Sequence, residues 1–156
     1  MNTNYINFYN NLIKLTTNKS LYTDLMNEVD IFSDRLSLFL FHFAFILKEF
    51  KNAKNEKILQ ELYDFNFRQL ELSIREIGYG DQTINKKMKI YINLFHEMLS
   101  EIHFWNTFDI NKKNEFLGKY LTDYEDLIDI VKYFDDFHDN LSKKTLNYFI
   151  KSVINQ

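Results

Sequence analysis

Apolar positions along this chain recur at the spacing of helical faces. Tyr5, Phe8, Tyr9 and Leu12 fall at i, i+3, i+4 and i+7, which predicts a short helix from about Tyr5 to Leu15. A brief helical turn is expected after Ser20. From Asp30 to Lys51 the pattern changes, because Phe39, Leu40, Phe41, Phe43, Ala44, Phe45, Ile46 and Leu47 cover the whole circumference and not one stripe. A helix apolar all round must be covered on every side, so this segment is the expected central helix. Lys57 to Ile77 is cleanly amphipathic through Leu59, Tyr63, Phe67, Leu70, Ile74 and Ile77, and Gly78 is placed for a left-handed C-terminal cap. After Gly78-Tyr79-Gly80, Asp81 is the expected N-cap of a helix running to about Trp105. That helix carries the most regular stripe in the chain: Ile84, Met88, Tyr91, Phe95, Met98, Ile102 and Trp105. Two long helices joined by so short a turn predict an antiparallel hairpin. Phe116, Leu117, Tyr120 and Leu121 mark a further helical face. Thr122-x-x-Glu125 reads as a capping box opening a helix through Leu127, Ile128, Val131 and Phe134, and Leu146, Phe149, Ile150 and Val153 suggest a last one. The expected fold is all-α: one domain over residues 1–156, a bundle of six to eight helices.

Composition sharpens this picture. The 156 residues suffice for one sizeable core. With 16 Phe and 10 Tyr, large rings should dominate it. The chain has no proline and three glycines, which suits long helices better than the many turns of a β-sandwich. Without cysteine there can be no disulfide framework, thiolate metal site or cysteine nucleophile. Nineteen basic and 22 acidic residues give a net charge of −3, so no global field favours nucleic acid or an anionic membrane, and no specific nucleic-acid sequence is expected as a partner. Met1 to Leu12 holds no basic residue and no continuous apolar run, so neither a secretory signal nor a transit peptide is expected there. Leu36 to Leu47 is too short for a membrane span, which needs about 20 residues.

The residues that could carry chemistry do not assemble into a catalytic set. His96-Glu97-Met98-Leu99-Ser100 puts Ser100 where a helical zinc-protease motif needs its second His. His96 and His103 are seven residues apart, about 10 Å along a helix, too far to share a metal unaided. They are read as partly exposed histidines, and no metal site or cofactor is assigned. His42, inside the apolar helix, is expected to be structural, hydrogen-bonded within the core. Gly78-Tyr79-Gly80-Asp81 follows a helix and lacks the Lys-Ser/Thr pair of a phosphate loop. Gln82, Lys86, Lys89, Asn93 and Glu97 oppose the aromatic stripe as a solvated face, and the acidic stretch from Asp123 to Asp139 is read the same way. Residue chemistry alone supports a helical domain without a visible active site.

A longer pattern adds to this. Arg75-Glu76-Ile77-Gly78-Tyr79-Gly80-Asp81 followed by Lys86-Lys87-Met88-Lys89 resembles the R-E-M-G-V-G-D…K-x-M-K signature of the ubiquinol–cytochrome c chaperone family. Upstream, Asp30-Ile31-Phe32-Ser33-Asp34-Arg35-Leu36 with Leu40, His42 and Phe43 is similar to that family's D-T-F-x-x-R…L-x-x-H-L segment. Downstream, Phe95 matches the start of its F-Y-G-R motif, and Leu117, Tyr120, Leu121, Ile130, Val131 and Tyr133 fit its C-terminal helices. The resemblance spans about Asp30 to Phe134. Tyr79 stands where the family has a small aliphatic residue, and His96-Glu97-Met98 where it commonly has Tyr-Gly-Arg.

The resemblance implies a non-catalytic assembly chaperone that holds apo-cytochrome b during biogenesis of the cytochrome bc1 complex. A small partner protein and the ribosome are further expected partners, as in mitochondrial relatives. For this chain it implies a cytoplasmic location, with peripheral contact at the inner face of the plasma membrane. Partner binding is expected at the turn and the start of the next helix, through Arg75, Tyr79, Asp81, Lys86, Lys87 and Lys89; Arg35, His42, Gly78 and Gly80 are expected to be structural. Two other classes stay open: a helical haem-binding protein or small-molecule enzyme using His42 or His96, and a structural adaptor of another assembly.

Overall fold

The protein is described by a computed structural model that covers residues 4–18, 21, 32–122, 124 and 126–152. Seven α-helices and one 3₁₀ turn make up the described residues: α1 (Asn4–Thr16), α2 (Phe32–Phe50), α3 (Glu56–Ile77), α4 (Asp81–Ile102), the 3₁₀ turn (Trp105–Thr107), α5 (Ile110–Gly118), α6 (Ile128–Leu141) and α7 (Leu146–Lys151). No β-strand occurs among them. Apart from Leu21, the turn expected after Ser20 lies outside the described residues, as do the start of the central helix at Asp30 and Asp123, Glu125 and Val153.

α2 is the axis of the bundle. Every side chain from Leu36 to Ile46 is buried, and Leu40, Phe41, His42, Phe43, Ala44, Phe45 and Ile46 are fully so. Neighbours cover each face in turn: α1, α4 and α6 all pack on α2. Phe8 of α1 meets Phe43 edge-on at 5.8 Å, Phe95 of α4 stacks on Phe43 at 5.2 Å, and Phe134 of α6 stacks on Phe45 at 5.5 Å. Such ring pairs add about 0.5–1.5 kcal/mol each beyond the area they bury. Truncating one of these phenylalanines to Ala should therefore cost about 3–5 kcal/mol.

α3 and α4 form the antiparallel hairpin, their seam filled by Tyr63, Phe67 and Phe95, with Phe67 and Phe95 at 5.3 Å. The α4 stripe is buried at Ile84, Met88, Phe95, Met98, Ile102 and Trp105, while Tyr91 is half-buried. The helix itself stops at Ile102. Trp105 belongs to a separate 3₁₀ turn, anchored by its indole N–H donating to Asp135 Oδ1 at 2.8 Å. Asp135 also takes Lys113 Nζ at 2.8 Å, so this member of the acidic stretch has a structural role, whereas Asp126, Asp129, Asp136 and Asp139 are exposed.

The capping box at Thr122 does not open a helix. α6 begins later, at Ile128, where Asn114 Oδ1 accepts from Leu127 N and Asp126 Oδ1 from Ile128 N, satisfying amides ahead of the first turn. No described helix is long and apolar enough to cross a membrane.

Candidate functional site

At the free end of the hairpin every residue from Arg75 to Thr83 is exposed, between the buried Ile74 of α3 and the buried Ile84 of α4. The turn is made by Gly78 at φ 105°, ψ 12°, whose N–H donates to Arg75 O at 3.0 Å. A side chain with a Cβ resists that left-handed conformation by about 1–2 kcal/mol. Gly80 is different. It lies at φ −73°, ψ 162°, extended backbone open to any residue, and a Cβ there would meet nothing within 4 Å. Gly80 is also the N-cap of α4, which displaces Asp81 from that role: Asp81 is the first helical residue. Its carboxylate turns across the loop to accept from Arg75 Nη1 at 2.5 Å, and Arg75 Nε lies 3.8 Å from Glu71. The bond to Asp81 raises the guanidinium further above its ordinary value. Arg75 and Asp81 thus pair with each other and staple the two ends of the turn.

The lysines are arranged otherwise. Lys86 and Lys89 are exposed on the side of α4 away from the core and make no ion pair among the described residues. Lys87 borders the stripe, with its Nζ 4.9 Å from the ring centroid of Tyr79, a cation–π geometry. Residues 75–89 hold four basic side chains (Arg75, Lys86, Lys87, Lys89) and two acidic ones (Glu76, Asp81), a local charge of +2 on a chain of −3. Ile77 and Tyr79 add exposed apolar surface at the same end, 61% and 44% accessible. Ile77 continues the core stripe of α3 past the point where the bundle covers it.

His42 lies at the centre of a polar relay. Its Nδ1 is 2.7 Å from Leu38 O, which can only accept, so Nδ1 carries the proton. Neutral Nε2 must then accept, and the Tyr133 hydroxyl donates to it at 2.7 Å; Asn18 Nδ2 in turn donates to the Tyr133 oxygen at 3.1 Å. Burial holds the imidazole down at about 4 and pushes the Tyr133 phenol up to about 12. With both nitrogens engaged and the ring enclosed by Tyr133, Phe134 and Phe137, His42 works as a structural tie between α2 and α6. His96 is exposed and hydrogen-bonds Tyr63 OH through Nε2 at 2.9 Å, across the hairpin seam. His103 is also exposed, and Arg35 lies on the outer side of the first turns of α2. No group of three His, Cys, Asp or Glu residues is arranged to hold a metal among the described residues.

Sequence reasoning missed Tyr133 as the partner of His42 and Asn18 as the partner of Tyr133. The separations, 91 residues for His42 and Tyr133 and 115 for Asn18 and Tyr133, leave no local pattern to read.

Comparison with known proteins adds one match. No curated protein and no solved structure matches the chain. A family model described as ubiquinol-cytochrome C chaperone matches residues 26–103, which include α2, the whole hairpin and its lysines; Leu117 to Tyr133 lie beyond it. Since that match takes in half of the 156 residues and all of the central helix and hairpin, the chain belongs to the ubiquinol-cytochrome C chaperone family.

Proposed function

We propose that the protein is a non-catalytic assembly chaperone that binds newly made cytochrome b during biogenesis of the cytochrome bc1 complex, using the free end of the α3–α4 hairpin. The observation that most supports this is the exposure of Lys86 and Lys89 without ion pairs among the described residues, within the region that the chaperone family model matches. A client held transiently needs contacts that form quickly and release. Unpaired surface lysines speed encounter with an acidic surface, while the neighbouring Ile77 and Tyr79 offer apolar surface to a client not yet inserted. The Arg75–Asp81 pair fixes the shape of the turn and leaves the lysines to meet the partner. Lys87, held over Tyr79, ties the loop to α4. We place this activity in the cytoplasm or at the inner face of the plasma membrane, with a small partner protein and the ribosome as further partners.

The test is capture of cytochrome b by a tagged chain and by its Lys86→Glu, Lys89→Glu variant over a salt series. Exposed charges of this kind contribute about 0–1 kcal/mol to folding, so the melting temperature should be nearly unchanged while capture falls. Capture by the parent should also weaken as salt rises and the Debye length shortens. Equal capture by both proteins at every salt concentration would remove the lysines from the client site.

A further inference from the structure

A second feature lies on the same flank of α4. Lys87, Tyr91 and Leu94 follow each other at i, i+4 and i+7, so about 10 Å along the axis separates the first from the last. Tyr91 and Leu94 form one wall of a cleft of about 210 Å³. Ser33, Leu36 and Ser37, one face of the first turns of α2, form the opposite wall, and Lys119 and Tyr120 close the end. Ser37 is 4% exposed, yet its hydroxyl has no hydrogen-bond partner among the described residues. The hydroxyl therefore opens into the cleft, where water or a ligand can satisfy it.

Charge and size narrow the occupant. Lys119, the one cation among the described lining residues, is already held by Glu101 at 2.5 Å, and Tyr120 OH donates to the other oxygen of Glu101 at 3.2 Å. Among the described lining residues no charge is left over to select an anion. The remaining described lining is two phenol rings, two leucines and the serine hydroxyls. Pockets that enclose a drug-sized molecule run to about 300–1,000 Å³, so this smaller cleft takes one side chain or a comparable head group. A flat apolar ring with a single polar atom meets every feature: its faces against Tyr91, Tyr120, Leu36 and Leu94, its polar atom on Ser37.

We infer that this cleft is a binding site for one tryptophan or tyrosine side chain of the client, engaged beside the basic end of the hairpin. The inference rests on the chaperone function proposed above. It also fits the composition of membrane-protein clients, whose helices carry Trp and Tyr where they meet the interface. Such rings combine apolar area with one hydrogen-bonding atom.

The experiment needs no client, so its result stands apart from capture of cytochrome b. Isotope-labelled protein is titrated with N-acetyl-tryptophanamide, N-acetyl-leucinamide and inorganic phosphate while amide resonances are followed. The tryptophan amide should shift Leu36, Ser37, Leu94 and Tyr120 saturably, the leucine amide should do so several-fold more weakly, and phosphate should leave them in place. Ser37→Leu, which fills the cleft from within, should weaken the tryptophan amide at least tenfold. Ser33→Trp closes the mouth from an exposed position and should do the same, so a folding defect in the first variant would not obscure the outcome. The site is refuted if the tryptophan amide shifts none of these resonances, if phosphate shifts them equally, or if a folded variant of either kind binds as the parent does. Failure of the chain to capture cytochrome b, with the titration intact, would instead count against the chaperone function.

Discussion

Acid should destabilise this protein through one identifiable group. His42 sits fully buried with its pKa lowered from 6.5 to about 4, first by desolvation, against a smaller opposing effect of its bond to Leu38 O. Between those two values the unfolded chain binds a proton at this imidazole and the folded chain does not. The contribution is therefore fully present above pH 6.5 and is lost as pH falls toward 4. A shift from 6.5 to about 4 corresponds to about 3 kcal/mol over the whole window, of which about 2 kcal/mol is gone by pH 5. The geometry gives the same sign: a protonated Nε2 could no longer accept from Tyr133 OH, and the relay to Asn18 would have to reverse. Urea denaturation at pH 7, 6 and 5 measures the loss. His138, whose pKa burial also lowers, and the surface carboxylates contribute as well, so the comparison is with His42→Gln, which keeps those groups and removes only this titration. The variant starts less stable, but between pH 7 and 5 it should lose about 2 kcal/mol less than the parent. Parallel pH profiles for the two proteins would show that His42 is not held neutral by the fold.

Three further outcomes follow from the packing. Gly78→Val forces a Cβ into a φ of 105° and should cost about 1–2 kcal/mol in thermal or chemical denaturation, whereas Gly80→Ala should stay within about 0.5 kcal/mol. Trp105→Phe removes the indole donor to Asp135 and should cost about 1–3 kcal/mol; an unchanged melting temperature would mean that this bond does not anchor the 3₁₀ turn. Tyr133→Phe leaves His42 Nε2 without its donor and should cost about 1–3 kcal/mol, with a larger loss of order in α6 than elsewhere by hydrogen exchange.

The helices were legible where one periodicity ran long enough. Phe39 to Leu47 could only be a covered helix, and the alternating steps from Ile84 to Trp105 fixed the buried face of α4 almost residue by residue. Boundaries were harder. Asp81 has the chemistry of an N-cap, but Gly80 takes that position and the Asp81 carboxylate bonds Arg75, six residues back across a turn that no helical pattern describes. Thr122 likewise fits a capping box, yet the amides at the start of α6 are met by Asn114 and Asp126, the first of them from another helix. The lysines of the hairpin were visible as a cluster, because their spacing on one helix sets their direction. The cleft was not. Ser37, Leu94 and Tyr120 come from three separate segments, and only their packing brings them together.

The claim on which the rest depends is that this chain serves cytochrome b. Deleting its gene and recording reduced-minus-oxidised spectra of the membranes tests that claim most directly. The predicted result is a marked loss of the cytochrome b band of the bc1 complex, restored by the parent gene and restored poorly by the Lys86→Glu, Lys89→Glu form. Membranes of the deletion strain with a full cytochrome b spectrum and normal bc1 activity would contradict it.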